Sequence, residues 1–179
     1  MIQTFLYLFL LELKRVIFGV KHFAEVDVTD NCNLRCKHCY HFHGKDNFKT
    51  QELSIPLWEK RFKILYKSGI RSILLVGGEP ALRMDILMLA DRTFPFVYII
   101  TNGTLKIPKE FNHKLYVSID GTQETNDQLR GEGVFSRVIK NYSEDKRVVI
   151  NMTITNDNYT ELEAVTKIAK ENGFKGVVC

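Results

Sequence analysis

Apolar positions along the chain first recur at every second residue, then in helical stretches, and the two patterns alternate to the end. Residues 24–29 have strict period two, with Glu25, Asp27 and Thr29 on one face and Ala24, Val26 and Val28 on the other. This pattern predicts a half-buried strand whose polar face, in a barrel, points into the lumen. Residues 71–76 form a continuous apolar run, as in a parallel strand covered on both sides. Residues 96–101, 114–119, 147–155 and 175–179 supply four more strands, with a turn at Asn102-Gly103. Between them lie helical stretches. Ser54 is placed to cap a helix that has Pro56 in its first turn and closes at Gly69. Trp58, Phe62 and Leu65 share one side of that helix and read as core. Helices are also expected over residues 82–91 and 135–142. A capping box of Asn158 and Glu161 would open a last one, ending at Gly173.

Strand and helix alternating at this spacing argue for a parallel sheet with helices outside it. Six units fall short of the closed eight-unit barrel, which takes about 250 residues. The expectation is therefore an α/β fold, an open partial (β/α)6 barrel over residues 24–179. Residues 1–23 stand apart. Residues 5–11 are wholly apolar, but Glu12, Lys14 and Arg15 interrupt before Val16-Ile17-Phe18. A membrane span needs about 20 predominantly apolar residues, and a signal peptide carries its positive charge before the apolar run. The segment reads as a helix packed against the bottom of the domain or against a partner. The other reading is an interfacial helix on a membrane surface.

Length and composition change little in this picture: 179 residues, 45% hydrophobic and 26% charged, suit one globular domain. A net charge of +4 without a basic run does not imply nucleic acid as a partner. The cysteines change it more. Three of the four, Cys32, Cys36 and Cys39, fall inside eight residues. Without a secretion signal, such clustering reads as metal chemistry in a reducing, cytoplasmic setting, with peripheral membrane contact by residues 1–23 as a variant. Three close thiolates can hold a cubane and leave one iron open, whereas four saturate a ferredoxin-type cluster.

With His38 before the third cysteine and Tyr40 after it, this loop resembles the cluster loop of the radical S-adenosylmethionine (SAM) superfamily. Gly77-Gly78-Glu79-Pro80 resembles the family's methionine-binding motif. Ser118-Ile119-Asp120-Gly121 followed by Leu129-Arg130-Gly131 resembles the subgroup that carries a C-terminal SPASM or twitch extension, which is expected to be absent here. The resemblance runs from about Glu25 to the end. It implies a partial barrel in which Cys32, Cys36 and Cys39 ligate three irons of a 4Fe–4S cluster and SAM chelates the fourth. An electron from the cluster would then split the sulfonium into methionine and a 5′-deoxyadenosyl radical, which takes hydrogen from a substrate the sequence does not name. Gly77 and Gly78 would let backbone approach the methionyl ammonium, with Glu79 supporting that end and Pro80 stiffening the turn. Ser118 and Arg130 would hold the carboxylate and ribose, and Asn151 the adenosine. Asn102 and Asp120, at the ends of the third and fourth strands, complete the cofactor-binding set. The electron would come from an external reductant of flavodoxin or ferredoxin type, and a protein partner or further domain would close the open barrel. Two rival readings remain at this point. One is a zinc-stabilised binding module using the cysteines with His38, His41 or His43, and the other an electron-transfer protein with Cys179 as fourth ligand.

Overall fold

The computed structural model describes residues 9–10, 13, 22–42 and 51–179. Among them are six strands: β1 (Phe23–Asp27), β2 (Ser72–Val76), β3 (Phe96–Thr101), β4 (Lys114–Ser118), β5 (Val148–Asn151) and β6 (Val177–Val178). The α-helices are α1 (Ile55–Lys67), α2 (Met84–Thr93), α3 (Gln123–Arg130), α4 (Val134–Tyr142) and α5 (Leu162–Glu171). The strands form one sheet in chain order β1-β2-β3-β4-β5-β6, and every neighbouring pair is parallel. Parallel neighbours need a crossover between them; helices supply it for every pair except β3 and β4, which residues 102–113 join without a helix.

Alternation along the strands sorts the sheet into two faces. Ile73, Leu75, Val97, Ile99, Leu115, Val117, Val148 and Ile150 point outward and are fully buried beneath the helices. The opposite, inner face carries half-buried Leu74, Tyr98 and Tyr116, while Phe23, Glu25, Asp27 and Val178 on the edge strands are exposed. Helix α1 is anchored by Phe62, which is fully buried with its ring 5.3 Å from Trp58 and 5.4 Å from Phe94.

Several boundaries differ from the sequence pattern, each for a local reason. Ser54 occupies the N-cap of α1, but its side chain makes no capping bond; its carbonyl accepts from Leu57 and Trp58 instead. The Asn158–Glu161 capping box does not form. Asn158 is fully buried and its amide donates to the carbonyls of Asp120 and Thr153, so it ties two loops together. Glu161 accepts from Thr122 N–H and Thr125 Oγ1 instead, and α5 starts at Leu162 after a short 3-10 turn. Strand β5 ends at Asn151 rather than continuing to residue 155, because the Thr153 N–H leaves the ladder for the Asp120 carboxylate at 2.8 Å.

Helix α3 has no counterpart in the sequence reading. Its sequence, Gln-Glu-Thr-Asn-Asp-Gln-Leu-Arg, carries no apolar stripe. Side-chain bonds from its middle hold it in place. Asn126 Oδ1 accepts from Asp120 N–H at 3.0 Å, and Asp127 accepts from the N–H groups of Gly133 and Phe135 at 2.9 and 2.8 Å. The expected N-terminal helix lies outside the described residues, apart from Phe9, Leu10 and Leu13, which are helical and exposed. No helix among the described residues is long and apolar enough to cross a membrane.

Phe62→Ala should cost about 3–5 kcal/mol, the scale for truncating a fully buried phenylalanine. Chemical denaturation monitored by far-UV circular dichroism measures it.

Candidate functional site

At the C-terminal edge of the sheet, the loops after β1 to β5 surround one open cavity. Its wall contains Cys32, Cys36 and Cys39, Gly77, Gly78 and Glu79, and Asn102, Ser118, Arg130 and Asn151. Ten of the twelve residues singled out from the sequence therefore converge here. Pro80 and Asp120 stand behind the wall: Pro80 is buried at the start of a 3-10 turn, and Asp120 is fully buried.

The cysteine loop is laid directly onto the turn after β2. Gly78 N–H donates to the Thr29 carbonyl and Glu79 N–H to the Asn31 carbonyl, both at 2.8 Å. A side chain on this turn could not coexist with that contact. A Cβ on Gly77 would stand 2.4 Å from the Thr29 oxygen, and one on Gly78 would stand 2.3 Å from the Asn31 oxygen. Gly77 also has φ +122°, a conformation that disfavours any side chain. Sequence reasoning offered a ligand as the reason for two bare glycines. The structure supplies another, the cysteine loop itself.

Glu79 fastens this turn to the next. Its Oε1 accepts from Ala81 N–H at 2.9 Å and Thr101 Oγ1 at 2.7 Å, and its Oε2 from Asn102 N–H at 2.7 Å. Burial pushes its pKa up, against the pull of those donors and of the Arg130 charge. Its carboxylate is thus engaged with protein groups while Glu79 also lines the cavity. Asn102 has a role that the sequence did not signal. Its side-chain nitrogen lies 3.8 Å from Cys32 Sγ and 2.9 Å from Asn33 Oδ1, and Leu34 N–H also donates to Cys32 Sγ at 3.4 Å. Burial raises the pKa of both Cys32 and Cys36; those donors oppose the rise at Cys32, and the Arg130 charge opposes it at Cys36.

The far wall is a buried charge cluster. Arg130 Nε donates to Asp120 Oδ2 at 2.5 Å, His38 Nε2 lies 3.1 Å from the same oxygen, and Oδ1 takes the Thr153 N–H. Burial alone would raise the Asp120 pKa; the His38 hydrogen bond and the Arg130 charge outweigh it and hold it below the usual carboxylate value. Lys37 N–H donates to the Leu129 carbonyl at 2.9 Å, so the cysteine loop is pinned on this side too. Asp120, expected to face a cofactor, instead aligns Arg130 and His38 from behind. Arg130 does reach the cavity wall, and so do Ser118 and Asn151, which are register partners on β4 and β5.

Among the described residues, no three His, Cys, Asp or Glu side chains are grouped as one metal ion would need. A cubane makes a different demand. Each thiolate takes its own iron, so the sulfurs surround a larger body. Three half-buried, unpaired thiols on one cavity wall fit that demand.

Fold and cavity together define a partial-barrel protein with a three-cysteine loop at its mouth. Residues 26–179 match the Radical SAM superfamily, and the chain belongs to it. It is 34% identical over 162 residues to the Fe-coproporphyrin III synthase of Methanosarcina barkeri, covering 81% of this chain and 40% of that one. It is 30% identical over 162 residues to the pre-heme d1 synthase of Dinoroseobacter shibae, covering 82% and 40%. Streptococcus suis SuiB bound to S-adenosylmethionine has the same fold, with a TM-score of 0.71 at 20% identity over 92% of this chain and 42% of that one. The chain spans about two fifths of the length of these curated relatives. A 4Fe–4S cluster and SAM are the cofactors of the family.

Gly78→Ala should lower the iron bound on reconstitution to well under half of wild type, because its Cβ meets backbone and not a movable side chain. An unchanged far-UV spectrum would show that the sheet survives. Asp120→Asn should cost about 3–5 kcal/mol at pH 7, the penalty for leaving Arg130 as a buried cation without its partner. Because the folded Asp120 pKa is lowered, its contribution is full above the unfolded value of about 3.9 and disappears as pH falls through the folded value. Denaturation midpoints for the two proteins should therefore converge in acid.

Proposed function

We propose that this chain is the catalytic core of an enzyme that cleaves SAM reductively and removes hydrogen from a substrate. The observation that supports it is the convergence of three thiols with the glycine turn, Arg130, Ser118 and Asn151 on one cavity. Cys32, Cys36 and Cys39 would each hold one iron. When bound, the cluster and SAM supply the chemistry, one electron splitting the sulfonium into methionine and a 5′-deoxyadenosyl radical.

The remaining work falls to the chain's own groups. Asn102 and the Leu34 N–H donate toward Cys32 Sγ, which stabilises the thiolate and tunes the electron density it offers a metal. Arg130, held by Asp120, places positive charge beside Cys36 and at the cavity wall, where it suits a ligand carboxylate. Ser118 and Asn151 offer neutral hydrogen bonds at neighbouring positions of the rim. Residues 24–179 form the core and residues 1–23 an appended segment. A one-electron donor of flavodoxin or ferredoxin type delivers the electron, and a partner protein or further domain covers the open inner face and keeps solvent from the reactive site.

Anaerobic reconstitution should load about four irons per chain, as three thiolates suffice for a cubane. Dithionite and SAM should then release 5′-deoxyadenosine, detected by chromatography, and Cys36→Ala should abolish both cluster and product. Product no higher than a cluster-free control, or stoichiometric zinc with no iron, would overturn the proposal.

A further inference from the structure

No motif in the sequence includes Glu52, yet this residue joins three separate segments. Glu52 lies where the chain returns from the cysteine loop. Its Oε1 accepts from the Thr29 hydroxyl and, at 2.7 Å, from the Asn31 side-chain amide. Thr29 and Asn31 sit 23 and 21 positions earlier, at the start of that loop. Its Oε2 accepts from Arg83 Nη1 at 2.6 Å. Arg83 belongs to the 3-10 turn that follows Gly77–Pro80. Its Nη2 donates to the Leu53 carbonyl at 3.2 Å, and Asp85 holds its other edge at 3.0 and 2.9 Å.

Thr29 and Asn31 are also the residues whose carbonyls receive Gly78 and Glu79 N–H. A single carboxylate therefore bonds, through side chains, the same short segment that the glycine turn bonds through backbone. The Glu52 side chain is 32% exposed and that of Arg83 15%, so the pair is shielded mainly at its Arg83 end. Thr29 is buried. Closing the ends of a long loop removes conformational freedom that the loop would otherwise recover whenever its contents were lost.

We propose that Glu52 is a positioning residue for the cluster: it clasps the two ends of the cysteine loop to each other and to the glycine turn. The three thiols are thereby kept facing one cavity. This rests on the reading of that cavity as an iron–sulfur site. The clasp acts on cluster retention and touches neither iron nor SAM.

The test compares wild type, Glu52→Ala and Glu52→Gln, each reconstituted without oxygen. The rate of iron transfer to a chelator is measured, with thermal unfolding of the cluster-free proteins as the control for general stability. Glu52→Ala should release iron roughly ten-fold faster, the scale of losing charge-assisted hydrogen bonds. Its cluster-free melting temperature should stay within about 2 °C of wild type; a ten-fold effect is about 1.4 kcal/mol, which as a global loss would lower it by about 3–6 °C in a domain of this length. Glu52→Gln keeps the Oε1 acceptor but loses the ion pair with Arg83, so it should fall between. Should Glu52→Ala fail to fold, Thr29→Val removes one hydroxyl from the same clasp and should still accelerate release. Release at the wild-type rate from whichever of these variants folds would overturn the proposal. So would acceleration matched by an equal fall in cluster-free stability, which marks a general structural role. Wild type that takes up no iron would instead overturn the reading on which the clasp rests, and the clasp with it.

Discussion

The contact on which the site depends is between two stretches of backbone. Thr29 to Asn31 lies against Gly77 to Glu79 so closely that neither glycine has room for one extra carbon. Two 2.8 Å hydrogen bonds hold that contact. The candidate site hangs from it. The loop bearing the thiols leaves β1 along this seam, and the wall residues of β3, β4 and β5 then line up around it. A glycine pair at the end of a strand is usually read as a turn or a phosphate cradle. Here the missing side chains let one loop nest against another, and the family resemblance gave no hint of that use.

Two buried carboxylates hold the walls apart, and they behave in opposite ways for a clear reason. Glu79 is surrounded by neutral donors from Ala81, Thr101 and Asn102, so desolvation prevails and its pKa rises. Asp120 has a guanidinium and an imidazole directly on one oxygen, so pairing prevails and its pKa falls. The first is a hydrogen-bonding bracket between adjacent loops. The second fixes a positive charge next to Cys36. In the proposed reaction an electron arriving near the thiolates would add negative charge there, and Arg130 is the cation placed to offset it.

Much of this could be read in advance where local pattern and tertiary packing agree. Strand β3 matched its expected range at both ends, and the cysteines, glycine turn, Ser118, Arg130 and Asn151 were located by their motifs and by the rule that ligands collect at strand ends in such sheets. What escaped depends on long-range side-chain bonds. Helix α3 is too polar for a hydropathy pattern, and Asn126 and Asp127 hold it through partners up to eight positions away. Asn158 looked like a helix cap, yet it bridges loops 38 positions apart in sequence. Glu52 carried no motif, since its meaning lies in Thr29, Asn31 and Arg83 meeting in space. Sequence shows that Asp120 and Glu79 lie near the site, not which protein groups they bond.

The central claim is that the seam and its clasp present three thiolates to a cluster and leave one iron free for SAM. Mössbauer spectroscopy on protein reconstituted with iron-57, recorded before and after SAM is added, tests this most directly. About one quarter of the absorption should move to a distinct site when SAM binds, because one iron of four lacks a cysteine. A spectrum that SAM leaves unchanged, with all four irons alike, would mean that no iron is open and would contradict the account.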